Sequence, residues 1–193
     1  ENFNEISSIR GKIICVIEEE RLNREKHTWR YPKLAIQECL DIGSITIDDI
    51  DHITYFWKPW KEITGNIYHM LRYFPASLNL LRSESGGNSL LFVRRFIMMM
   101  NVGKKIKEQF NLKRKPKIIF VEHHLAHAAS AFFVSPYSDA AILTFDGRGE
   151  STSTMLSYGQ NNTITKIKEV KVPHSLGHLY SAITDYLGFK SFY

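Results

Sequence analysis

Two histidines four residues apart, His123 and His127, stand in the stretch Val121 to Phe133, which reads VEHHLAHAASAFF. The run ahead of it, Lys117 to Val121, is β-branched and aromatic enough for a buried strand. Ala126, Ala128, Ala129 and Ala131 behind it favour helix. The spacing therefore sets both imidazoles on one face of a helix that begins where a strand ends, close enough to share a small cation, with His124 pointing elsewhere. The plain alternative is a pair of polar residues at a helix start. A third donor bears on that choice. Ala140 to Phe145 reads as a core strand that ends on Asp146 and runs into Gly147-Arg148-Gly149. Two imidazoles and one carboxylate, with positions left for water or substrate, suit iron(II), manganese or zinc, and the sequence does not choose among them.

The elements that must position these groups are legible in outline. Gly11 to Ile17 reads as a strand after an Arg-Gly turn, followed by the charged run Glu18 to Arg21 and an irregular stretch to Tyr31. Pro32 in a first turn, apolar Leu34, Ala35, Ile36 and Leu40, and Gly43 as a stop predict a short amphipathic helix. A turn at Asp48 to Asp51 leads to a strand at His52 to Trp57, closed by Pro59. Trp60 to Arg82 and Ser89 to Phe110 read as helices parted by a Ser83 to Asn88 loop, with Met98 to Met100 as packing surface. Beyond Asp146, Thr152 to Tyr158 and Thr163 to Lys171 alternate around an Asn-Asn turn and predict a hairpin. A last helix opens at Ser175 and closes at Gly188.

A chain of 193 residues has room for one domain or two small ones with a sizeable core. Its net charge of +5 is gathered in Gly103 to Lys117, which reads as a solvated helix end and loop. No aromatic interleaving or nucleic-acid motif accompanies that run, so no nucleic-acid partner is expected, although anionic substrates would be attracted. The longest apolar stretch, Leu90 to Val102, carries Arg94 and Arg95 and is too short to cross a bilayer, so no membrane partner is expected either. Cys15 and Cys39, the only cysteines, read as buried thiols in a reducing compartment. With no leader visible at Glu1, the expected location is the cytoplasm. The oligomeric state is not indicated.

Four segments together resemble the amino-terminal part of the O-carbamoyltransferases, the group that acts on nodulation factors, cephalosporins and aminoglycosides. They are GKIICVIEEERLNREKH, YPKLAIQECLDIG with DDIDHITYF, HHLAHAASAFFVSPYSDAAILTFDGRGE, and PHSLGHLYSAITDYLGF. The strand ending in Asp-Gly-x-Gly before a hairpin is also similar to actin-like ATPases and sugar kinases, where the turn amides face phosphate. The resemblance implies an α/β fold with an actin-like, ribonuclease H-like core: a mixed sheet with flanking helices. Residues 1–193 would form the first half of a carbamoyl-transfer domain with a helical insertion at about 60–110, the second half and an adenylate-forming domain being absent.

By the same resemblance, carbamoyl phosphate and ATP give carbamoyl-adenylate, whose carbamoyl group passes to a hydroxyl on a small-molecule acceptor. The metal ligands, iron(II) foremost, fall on His123, His127 and Asp146, with another carboxylate downstream. Lys26 falls on a lysine that acts at the carbamoyl group, and Gly147, Arg148, Gly149, Glu150 and Ser175 fall near the nucleotide phosphate. Acceptor contacts would come from variable loops, plausible ground for which is Trp57 to Asn88. One departure concerns an upstream histidine, a candidate base in the family, since no histidine precedes His27 here. Two alternatives stay open: a non-catalytic binding module of the same fold, and a small-molecule kinase of the actin-like superfamily.

Overall fold

The computed structural model describes residues 4–9, 12–26, 28, 31–78, 96–113 and 117–190. The Ser83 to Asn88 loop, the Arg10-Gly11 turn and His27 lie outside them. The described elements are mixed α and β, and they divide into two compact units. One comprises Glu1–Ile53 with Asn101–Ile118, the other Thr54–Met100 with Ile119–Tyr193. Where a single mixed sheet is expected, the described strands form three small sheets.

In the first unit, strands β1 (Asn4–Ile9) and β2 (Lys12–Glu18) form an antiparallel hairpin whose register shifts at Ser7/Ser8. Helix α1 (Glu19–Asn23) follows β2 directly and takes in Leu22 and Asn23, the first two residues of the stretch predicted as irregular. Helix α2 (Lys33–Gly43) buries Ala35, Cys39 and Leu40, and Cys15 on β2 is buried as well. Both cysteines are free thiols, as expected. Gly43 is the last helical residue, not the stop. Ser44 takes the left-handed conformation at φ 51° and returns its N–H to the Asp41 carbonyl at 3.1 Å.

Pro32 precedes α2 without a side chain able to cap it, and the chain supplies the cap from elsewhere. The buried carboxylate of Glu19 accepts hydrogen bonds from the backbone amides of Ala35 at 2.8 Å and Leu34 at 3.4 Å. A negative group at a helix start satisfies unpaired donors and complements the helix dipole. Helix α4 (Val102–Phe110) completes the described helices of this unit and buries Gly103 and Ile106.

Strands β3 (His52–Tyr55) and β4 (Lys117–Phe120) pair, and the division between the units runs through them. The strand expected to reach Trp57 thus stops two residues early. Pro59 is the first residue of helix α3 (Pro59–Arg72), where its missing N–H costs nothing. That helix ends ten residues before the predicted Arg82, since Pro75 lacks an N–H and pushes Phe74 out of helical geometry. Residues 96–100 are helical, and of the three methionines expected as packing surface only Met99 is buried, while Met98 and Met100 are exposed.

The second unit is built on helix α5 (His123–Phe132) lying on a sheet of order β5-β6-β7. Strands β5 (Asp139–Phe145), β6 (Thr152–Gln160) and β7 (Thr163–Lys171) pair antiparallel. Ala128, Phe132, Ile142 and Met155 make the core, with Ala140 and Ile164 at its edge. Two periodicities meet here. On α5, His124, Ala128 and Phe132 recur every four residues and are buried. On β5, Ala140, Ile142 and Thr144 alternate inward, and Asp146 is the next position on that face. Helix α6 (Leu176–Tyr186) follows, with Ser175 as its N-cap and Gly188 at φ 82° after its end.

Removing the carboxylate that caps α2 should be felt in stability alone. Glu19→Ala is expected to cost about 1–2 kcal/mol in urea unfolding, and Glu19→Gln, which keeps an acceptor oxygen, to cost less.

Candidate metal centre

Helix α5 sets His123 and His127 one turn apart at its N-terminus, and β5 delivers Asp146 to the same place. His123 Nε2 lies 2.8 Å from Asp146 Oδ2 and 3.0 Å from His127 Nε2, and His127 Nε2 lies 3.6 Å from that carboxylate oxygen. The His123 ring is buried, whereas about half of the His127 side chain and a third of the Asp146 side chain are exposed. The cluster therefore has a closed wall and an open side. The two imidazoles hold the Asp146 carboxyl far below the usual carboxylate range, His123 more strongly than His127, against the opposing effect of burial.

The three contacts cannot all be hydrogen bonds at once: if both Nε2 atoms donate to the carboxylate, their N–H groups face each other at 3.0 Å, because each ring nitrogen carries one N–H or one lone pair. With those atoms deprotonated, three lone pairs converge, an arrangement a divalent cation satisfies. Ligands at about 2.0–2.2 Å from one ion stand roughly 2.8–3.1 Å apart at octahedral angles and roughly 3.3–3.6 Å apart at tetrahedral ones. The observed spacings of 2.8, 3.0 and 3.6 Å fit that requirement. Among the described residues these three form the group able to hold a metal ion.

The surroundings hold this geometry. His124 turns the other way: its Nδ1 meets Thr144 Oγ1 at 2.8 Å, and its Nε2 meets the Thr152 carbonyl at 3.0 Å. Burial pushes its pKa down, so it is a neutral strut between α5 and the sheet with its N–H on Nε2. Trp57 and Phe56, just after β3, wall His123 with ring centroids 5.1 and 5.8 Å away. Trp57 was expected among acceptor loops, yet it is buried against the cluster.

The loop after Asp146 is built for close approach. Gly147 donates its N–H to Asp146 Oδ1 at 2.6 Å. The Gly149 N–H reaches the Thr152 carbonyl at 2.7 Å, and a Cβ there would come within 3.1 Å of His124 and 3.3 Å of His123. Arg148 turns toward α3, its Nη2 donating to Asn66 Oδ1 at 2.8 Å with Glu62 Oε1 3.7 Å away. Glu150 is buried, and its Oε1 accepts from the amides of Lys58 at 2.8 Å and His123 at 3.1 Å. Its side chain thus caps α5. Ser175 Oγ donates to the Asp146 carbonyl at 2.9 Å and accepts from the His178 amide at 3.1 Å. Lys26 belongs to the first unit, exposed in a turn after α1.

Sequence reasoning placed Trp57, Glu62 and Asn66 only within a stretch expected to meet the acceptor, and gave Phe56 and Gly177 no role at the cluster. For Gly177 a signal existed, a glycine in the first turn of a helix beside a predicted phosphate residue. A Cβ there would overlap the Gly147 nitrogen and lie 2.7 Å from the Asp146 carbonyl carbon. Glu62 carried none, being one polar residue in an amphipathic helix.

Residues 6–192 match the family described as carbamoyltransferase N-terminus. The chain belongs to the carbamoyltransferase family, in its N-terminal part. It is 38% identical over 182 residues to the protein sll1178 of Synechocystis sp., covering 93% of this chain and 29% of that protein. It is 33% identical over 184 residues to the nodulation protein NolNO of Sinorhizobium fredii, covering 94% and 25%. With NolO of Bradyrhizobium diazoefficiens it shares 31% identity over 68 residues, 35% of this chain and 12% of that one. The chain thus spans between a quarter and a third of the length of the first two relatives. Among the described residues of this carbamoyltransferase segment, no helix is long and apolar enough to cross a membrane.

A lysine and glutamate cluster ties the start of α5 to α3 and β7. Glu122 meets Lys61 and Lys166, each at 2.6 Å, and Glu169 meets Lys171 at 2.7 Å and Lys61 at 3.6 Å. Burial alone would raise both carboxyls, and the ammonium groups overcome it and bring each to about 2.

Two expectations follow for this carbamoyltransferase segment. Gly177→Ala should lower stability by about 1–3 kcal/mol in urea unfolding, since a methyl there must push α6 off the Asp146 turn. The Glu169 carboxyl sits at about 2 when folded against an ordinary 4.5, so the folded state binds fewer protons there. Its stabilisation is complete above about pH 4.5 and is lost as pH falls toward 2. Lys171→Met should therefore lower Tm at pH 6 and lose that difference near pH 2.

Proposed function

We propose that this chain is the N-terminal part of a transferase that moves a carbamoyl group from carbamoyl-adenylate to a hydroxyl on a small-molecule acceptor. In this reading the chain is the first half of an actin-like, ribonuclease H-like transfer domain, with carbamoyl phosphate and ATP as sources of the adenylate. The observation that carries it is the meeting of His123, His127 and Asp146 at 2.8–3.6 Å within a chain of this family.

His123, His127 and Asp146 would hold a divalent ion; their donor set suits iron(II), manganese or zinc, and the family resemblance puts iron(II) first. Such an ion supplies positive charge that orients a phosphate and stabilises it as it departs. Trp57 packs against the His123 ring and Glu150 holds its backbone amide, so the ring would keep one orientation through the reaction. The Gly147 to Glu150 backbone and Ser175, docked on the Asp146 turn, would flank the adenylate phosphate. Lys26 would stabilise negative charge on the carbamoyl oxygen as the acceptor attacks. In that step the acceptor oxygen bonds to the carbamoyl carbon, the bond from that carbon to the phosphate oxygen breaks, and the hydroxyl proton is lost to a base.

Metal analysis of the purified chain tests the centre. Wild type should carry about one iron, manganese or zinc per chain at neutral pH, and the double variant His123→Ala/His127→Ala should lose it. A wild type that takes up none of the three metals would remove the centre. Supplied with carbamoyl phosphate, ATP and hydroxyl acceptors, the whole protein should yield a carbamoylated product. ADP with a phosphorylated acceptor would instead favour the kinase.

A further inference from the structure

We propose that Glu62 is a positioning residue for the candidate metal centre, holding Trp57 against His123 with one carboxylate oxygen and Arg148 with the other. The inference rests on reading His123, His127 and Asp146 as ligands. Glu62, Gly65 and Asn66 fall on one face of α3, at the spacing of neighbours on a helix surface. That face meets the loop after Asp146. A Cβ on Gly65 would stand 2.5 Å from the Ser151 Cβ, so the backbone of α3 lies directly on the loop. Asn66 Oδ1 accepts from Arg148 Nη2 at 2.8 Å.

Glu62 sits at the middle of this contact, 1% exposed. Its Oε2 accepts from the Trp57 indole N–H at 2.9 Å, and its Oε1 lies 3.7 Å from Arg148 Nη2. The indole it orients faces the His123 ring at 5.1 Å. The next residue, Lys58, donates its amide to the same Glu150 oxygen that caps His123. One buried carboxylate thus connects the wall of a ligand histidine to the loop that carries the ligand aspartate. Packing alone does not call for it, because a buried charge is costly and an apolar side chain of similar volume fills such a place at no loss. Its use is directional, setting two donors at fixed angles around the centre.

The test uses cobalt(II), whose visible absorption reports coordination geometry, added to the metal-free full chain. Wild type is compared with Glu62→Gln, which keeps an acceptor for Trp57 but turns an amide toward Arg148, and with Trp57→Phe, which removes the indole donor. Each variant should bind cobalt at least about tenfold more weakly and shift its absorption bands. Unchanged affinity and bands in both variants, with or without a lower Tm, would overturn the proposal and leave Glu62 a packing residue. Should Glu62→Gln fail to fold, Trp57→Phe decides: shifted bands support the proposal and unchanged bands overturn it. A wild type that binds no cobalt would instead fail the ligand reading itself, and this inference with it.

Discussion

The approach of His123 to Asp146 is the contact on which the rest of the second unit depends. It joins the first residue of a helix to the residue just past a strand, two positions where the backbone has unpaired groups to satisfy. The chain answers that need locally. Glu150 takes up the first amide of α5, Ser175 donates to the Asp146 carbonyl, and the Asp146 amide reaches the Ser153 carbonyl at 2.9 Å. Each bond that ends an element also aims a side chain at the cluster.

Converging lone pairs oppose folding unless something rigid keeps them together. Here the rigidity comes from the sides. His124 ties the helix to Thr144 and Thr152, the indole of Trp57 blocks His123 from turning away, and α6 is seated on the Asp146-Gly147 turn through Gly177. None of these groups need touch a substrate. Their effect is that the donor atoms are in place before any ligand arrives, which lowers the cost of binding one.

Charge is distributed with the same economy. Glu122 and Glu169 draw Lys61 and Lys166 over the start of α5, and that joins three elements of the unit at its solvent edge. Pairs this exposed are worth little singly. As a network they cover the edge of the helix that bears the imidazoles without placing a free carboxylate beside Asp146. Lysines outnumber glutamates there, so that edge carries an excess of positive charge.

The amino-acid sequence by itself determined the outline of the site. The i, i+4 pair on an alanine-rich helix, the strand ending on Asp146, the hairpin around Asn161-Asn162 and the helix capped by Ser175 are all local patterns, set by periodicity, turn chemistry and capping. The boundaries that slipped were also local ones, at Gly43, Trp57 and Arg82, where a left-handed serine or a proline decided between two nearby stops. Only the tertiary structure brought Glu150 under His123, Trp57 against its ring and Glu62 between Trp57 and Arg148, and it divided the described strands among three sheets where one was expected. Glu62 and Arg148 lie far apart along the chain, and no periodicity encodes such a pairing. It exists because burying a carboxylate is tolerable only where folded neighbours supply its donors, and which neighbours those are is a property of the packed chain.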